Sequence, residues 1–205
     1  MRRVNKLAVT WLTMAALWCG CGSGAGDRLI LQFVNFQDPA NGQLDTIGQT
    51  SAQVDVVRDV CTDGSDEPFT ETDAAAVFVN QGASDLVLQN IKVTIPNSGV
   101  PTYSINLGPA GPVISGGRCA GELGRSCGVD LDCVVNGMTS SCIHTESTIE
   151  FKLFDIEKKL LVTPGVYDVA ITFSAQDASE ENFNVTTRLR TTFTDFCHCS
   201  AGCQA

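Results

Sequence analysis

The chain has 205 residues, 43% of them hydrophobic and 18% charged, with 23 acidic against 13 basic side chains and a net charge of −10. That balance has the wrong sign for phosphate backbones, which bind proteins through counterion release by Lys and Arg, so nucleic acid is excluded as a partner. The length suits one domain with a real core, and ten cysteines raise the question of an oxidising compartment.

A positive start (Arg2, Arg3, Lys6) precedes an apolar run from Leu7 to Trp18, and Cys19-Gly20-Cys21-Gly22-Ser23-Gly24 follows. The apolar run is too short to span a bilayer as a helix, and this order of features reads as an export signal. Its small-residue-then-cysteine ending resembles the lipobox of a bacterial lipoprotein. The resemblance implies cleavage before Cys21, acylation of that cysteine and attachment to a membrane. Cleavage there places small Gly20 at the scissile position, whereas cleavage before Cys19 would require bulky Trp18. Trp18 also departs from the usual Leu three places upstream of the lipid site. The alternative is an ordinary secretory signal cut near Ala25, which would release a free periplasmic protein.

Gly22 instead of Asp after the lipid site implies, by the same resemblance, the outer membrane. A single acyl chain binds only marginally, so firm tethering needs more than one. The expected division is a signal peptide over 1–20, a linker over 21–27 and one domain over 28–205, with a cysteine-rich insert over 118–144. All 23 acidic residues lie beyond Cys21, so the processed chain would carry ten basic residues against them, net −13. Such a surface is repelled by anionic headgroups, which leaves attachment to the lipid; the acidity itself reads as a device for solubility.

Further along, strand signals alternate with turn signals, and no stretch keeps a helical period for ten residues. Strands are expected at Leu29–Phe36, Ala52–Val60, Ala74–Asn80, Leu86–Ile95, Ser147–Asp155, Gly165–Ala175 and Val185–Phe196. Tyr167, Val169, Ile171 and Phe173 share one face, with Asp168, Ala170, Thr172 and Ser174 on the other. Val185, Leu189 and Phe193 oppose Arg188, Arg190 and Thr192 in the same way. This alternation belongs to antiparallel sheets packed on one side, and seven such strands argue for an all-β sandwich with a disulfide-rich irregular insert. The Gly- and Pro-rich segment 96–117 reads as an irregular connection.

Pro164-Gly165-Val166-Tyr167-Asp168-Val169 resembles the P-G-x-Y-x-V entry to a late strand of immunoglobulin-like and fibronectin-like domains. Val77-Phe78-Val79-Asn80-Gln81-Gly82 followed by Leu86-Val87-Leu88 is similar to the Asn-x-Gly hairpin of bacterial Ig-like domains. These likenesses imply an Ig-like sandwich and carry no activity. The whole pattern resembles exported proteins of cysteine-rich, lipoprotein-rich bacteria, again without a mechanism.

Eight cysteines follow Cys21: Cys61, Cys119, Cys127, Cys133, Cys142, Cys197, Cys199 and Cys203. An even number in an exported chain reads as a disulfide framework. If the four in the insert pair among themselves, Cys61 must take a partner from the tail. Cys197 is the preferred partner, with Cys199 to Cys203 closing a small terminal loop. The insert, from Cys119 to Cys142, and the loops at its end form the expected contact surface.

The motifs that carry chemistry are few. The only two histidines, His144 and His198, stand beside cysteines and read as exposed imidazoles, so neither is expected to serve as the base of a Ser-His-Asp triad. Cys197-His198-Cys199 with Cys203 could form a thiolate metal site, but oxidised sulfurs cannot ligate, so disulfides are favoured. Asp63, Asp66 and Asp73, with Glu67 and Glu71, form an acidic run that offers oxygen ligands for Ca²⁺ without the EF-hand spacing. Asp177, Glu180 and Glu181 are expected near it. Asn184-Val185-Thr186 matches a glycosylation acceptor but reads as the start of a strand. No catalytic residue and no cofactor is expected. The expected function is therefore a lipid-anchored, non-catalytic binding or structural module of the cell envelope. The alternatives are a metal-binding envelope protein or a hydrolase of envelope polymers.

Overall fold

The computed structural model describes residues 30–135, 137–200, 202 and 203. The expected signal peptide, Cys21 and the linker lie outside the described residues. In chain order the first strands are β1 (Leu31–Gln37), β2 (Thr46–Ile47), β3 (Ser51–Asp55), β4 (Thr72–Asn80), β5 (Leu86–Thr94), β6 (Tyr103–Asn106) and β7 (Val113–Ile114). The insert holds β8 (Arg118–Cys119), β9 (Glu122–Ser126), a 3₁₀ turn (Asp130–Cys133), β10 (Val134–Val135), β11 (Met138–Thr139) and β12 (Cys142–Ile143). Then follow β13 (Glu146–Phe154), a short helix α1 (Ile156–Leu161), β14 (Gly165–Gln176) and β15 (Asn182–Thr194).

Two sheets face each other. One has the order β1-β4-β13; the other runs β2-β3-β15-β14-β5-β6, with β7 also on β5. The fold is all-β, as the alternating pattern implies. On β14, Val169, Ile171, Phe173 and Ala175 are buried in turn, while the residues between them face outward. Leu189 and Phe193 continue the same inner face on β15. Opposite them β4, buried along nearly its whole length, brings in Phe78. Phe78 meets Phe173 edge to face, with ring centroids 4.8 Å apart, and Phe33 and Phe151 close round the same ring. Such aromatic contacts between the layers add to the area they bury.

The molecule has two poles. At one, Ile30 enters β1, Leu31 pairs with Asn80, Glu146 with Val79, and Gln176 with Val87. The β4–β5 hairpin and the root of the insert lie there too. At the other, Gly165 pairs with Phe193, Thr194 with Asp55, and β13 runs out into α1.

Four features differ from the expectation. The pairing of β3 with β15 is parallel, which makes the larger sheet mixed. The strand expected over Ala52–Val60 stops at Asp55, whose Oδ1 accepts a hydrogen bond from Val57 N and turns the chain. The supposedly irregular 96–117 segment contributes β6, on the edge of β5, and β7. Helix α1 forms because Asp155 caps it, its side chain accepting from Lys158 N at 2.7 Å, and Pro164 follows soon after its end.

Candidate functional site

The insert is rooted on the Asn-x-Gly hairpin. Asn80 Oδ1 accepts from Gly82 N at 2.8 Å, and its Nδ2 donates to the carbonyls of Ser84 and Ile114. This buried amide fixes the turn, and Gly117 N then donates to Gly82 O at 2.9 Å. Arg118 pairs with Asp85 at 2.6 Å. The Asp85 carboxyl is held below its usual range by the Gly116 amide and by that guanidinium. Gly117 has no room for a side chain: a Cβ there would lie 2.3 Å from Cys127 O and 2.7 Å from Cys142 Sγ.

Within the insert, Cys119 joins Cys133 and Cys127 joins Cys142, so the two bonds cross in sequence. Cys119, Cys127 and Cys133 are themselves the interior, with Cys142 packed against them. The rest of the interior is polar bonding: Asp130 Oδ1 accepts from Cys142 N, and Asp132 Oδ2 from Gly128 N and Val129 N. Beside the bonds is a shallow hollow lined by Ala120, Gly121, Glu122, Met138, Thr139 and Ser140.

At the opposite pole Cys61 joins Cys199, and Cys197 joins Cys203. A tail partner for Cys61 was expected; Cys199 and not Cys197 supplies it, and the Cys199–Cys203 loop does not form. The parallel register explains the correction. Thr194 lies beside Asp55, Cys61 is six residues past Asp55, and Cys199 is five past Thr194 but Cys197 only three. The tail then turns so that Cys203 sits in a bridge opposite Cys61 and Thr62 N donates to Gly202 O.

This arrangement decides the metal candidates. Three groups of ligand atoms lie close together among the described residues: Cys119/Cys127/Cys133, Cys197/Cys199/Cys203 and Asp59/Glu67/Cys203. Every sulfur in them is consumed by a disulfide. Glu67 spends its oxygens on backbone amides, Oε2 accepting from Asp59 N at 3.0 Å and Oε1 from His198 N. Asp63, Asp66 and Asp73 belong to none of the three groups. Asp63 accepts from Ser65 N and Oγ, which hold its carboxyl below the usual range. Asp66 pairs with Arg58, and Asp73 accepts from Asn41. Asp177 and Glu181 close the β14–β15 hairpin at the insert pole, far from the acidic run, which corrects the expected proximity.

The histidines are half-buried, not exposed. His144 Nδ1 lies 2.7 Å from Asn80 O, with Nε2 3.5 Å from Cys142 Sγ. His198 Nε2 faces the buried Asp55 Oδ2 at 3.6 Å, and neither atom has a hydrogen-bond partner among the described residues. Burial raises the Asp55 carboxyl above its ordinary range, and the charge of Glu67 adds to this; amides of Val57 and Phe196 and the His198 ring oppose it. Asn184 pairs with Ser174 inside β15.

One buried group was not foreseen. Lys159 Nζ lies 2.8 Å from Asp45 Oδ2 and 2.8 Å from Thr70 O, over the ring of Phe69, with both charged side chains 1% exposed. Thr72 Oγ1 donates to the same carboxylate, and Asp55 N donates to its other oxygen. The available signal was the capped turn after Asp155, which places Lys159 one turn in. The charged atoms here all find partners inside the protein, and these bonds tie the loops of the far pole to α1.

No protein-family model matches the chain, and comparison with curated proteins finds no relative. Among the described residues no helix is long and apolar enough to cross a membrane.

Proposed function

We propose that this chain is an exported, lipid-anchored protein of the cell envelope, tethered through Cys21 at the outer membrane, and that it acts as a non-catalytic binding or structural module. The observation that carries the reading is the sulfur bookkeeping: all eight cysteines beyond Cys21 are joined in four disulfides. Such a network belongs to a compartment that oxidises thiols, which is where the signal ending at Cys21 would deliver it. The non-catalytic part is supported by the two histidines, one turned to a main-chain carbonyl and the other closed in against Asp55.

Radiolabelled palmitate tests the anchor in a bacterial host. Label is expected in the parent and in Cys19→Ser, and its loss in Cys21→Ser. Retention of label in Cys21→Ser, or none in the parent, removes the lipid anchor from the reading.

A further inference from the structure

Large apolar side chains left open to solvent are concentrated in the insert. Of fourteen among the described residues, six lie there: Leu123, Val129, Leu131, Val134, Met138 and Ile143. The three most open of all are Leu131 at 78%, Leu123 at 76% and Met138 at 73%. A 27-residue unit whose interior is cystine has no core in which to bury them, yet nothing about a disulfide knot requires three of its outermost residues to be apolar. The insert is also close to neutral, two arginines against Glu122, Asp130 and Asp132, in an otherwise strongly acidic chain.

The position of the chain entry says what lies opposite. Ile30 O accepts from Gln81 N at 2.7 Å, and a Cβ on Gly82 would lie 2.9 Å from the Ile30 side chain. The same Gly82 receives the hydrogen bond from Gly117 at the insert's root. The polypeptide therefore enters the sandwich at the insert pole. Nine residue steps separate Cys21 from Ile30, and they span at most about 30 Å. The strands β14 and β15, twelve and thirteen residues long, run about 40 Å from pole to pole. A tether shorter than the body, fixed at one pole, turns that pole to the surface that holds the lipid.

We propose that the insert docks on the bilayer to which the chain is anchored, seating Leu123, Leu131 and Met138 at the level of the lipid headgroups. This rests on the lipid-anchor reading. Apolar residues seated at that boundary gain from leaving water, and a neutral surface avoids the repulsion that the rest of the protein would meet. The contact holds the module upright and stops it swinging on its tether.

The only two tryptophans, Trp11 and Trp18, precede Cys21, so a processed chain has none and a single one can be introduced as a reporter. Leu131→Trp and Leu160→Trp, the latter exposed on α1 at the far pole, are purified in lipidated form and placed in phosphatidylcholine vesicles with brominated acyl chains. The expected result is a blue-shifted Leu131→Trp emission quenched roughly twofold or more, unchanged at high salt, with Leu160→Trp unaffected. If the protein floats with the vesicles and neither reporter is quenched, or both are quenched alike, docking by the insert is overturned while the anchor stands. If the protein does not float at all, or is isolated with its leader uncut, the anchor fails and the docking falls with it.

Discussion

Lys159 reaches Asp45 across 114 residues of sequence and closes a 2.8 Å ion pair that water does not touch. A pair of this kind adds little over two apolar residues of the same shape, but removing one partner strands a buried charge. Lys159→Met is expected to cost about 3–5 kcal/mol, and Asp45→Asn with Lys159→Met, which removes the stranded charge and keeps an acceptor for Asp55 N, to recover much of that loss. Denaturant melts of the three proteins decide it; single and double variants of equal stability would show that the pair is not desolvated.

Asp55 predicts an unusual pH response. Its folded pKa lies above the ordinary 3.8, so the folded state holds this proton more tightly than the unfolded chain does. Its favourable contribution is complete below that unfolded value and is lost as pH rises through the elevated folded one. Asn at this position still accepts from the Val57 and Phe196 amides and can donate to His198 Nε2. Asp55→Asn should melt higher than the parent at pH 7, and the difference should vanish near pH 3.8. A variant that melts lower at both pH values contradicts the assignment.

The two sets of disulfides should fail differently. Cys61–Cys199 spans 138 residues, and in the chain-entropy model its removal costs about 5 kcal/mol. Cys61→Ala with Cys199→Ala should therefore lower the denaturation midpoint of the whole domain. Cys127→Ala with Cys142→Ala should leave that transition nearly in place and instead speed amide exchange across 118–143, because the insert's interior is little more than sulfur. A uniform loss of protection in both variants would mean that insert and sandwich unfold together.

Gly117→Ala puts a methyl group against main-chain Cys127 O and the Cys127–Cys142 bond. Neither can retreat cheaply, so incomplete pairing of the insert's cysteines is expected, read as free thiols after purification. Gly124→Ala, where a Cβ meets nothing, is the control and should pair fully.

Period-two alternation is clear in β14 and β15, and most of all in β14, where one buried residue in two is a geometric consequence of the pleat. The turn at Asn80-Gln81-Gly82 is equally plain, since its side chain bonds its own backbone. What stays hidden depends on contacts distant in sequence. The Tyr103–Asn106 strand is four residues between Gly- and Pro-rich flanks, too short for a pattern. Helix α1, at six residues, is recognisable by its cap at Asp155 but not by periodicity. The choice of Cys199 over Cys197 follows from the parallel register of β3 on β15, which no local signal reports. Lys159 is the sharpest case: a lysine reads as surface until its partner, more than a hundred residues away, is known.

Arg118 pairs with Ile143 and Cys119 with Cys142, so the cysteine-rich segment leaves the sandwich and returns to it through one narrow doorway. None of its side chains is counted in the sandwich's own interior. A short hairpin joining Gly117 to His144 could take its place, and the remaining body would keep its layers. The segment is a cartridge, mounted on the scaffold at one point and lending nothing to its filling.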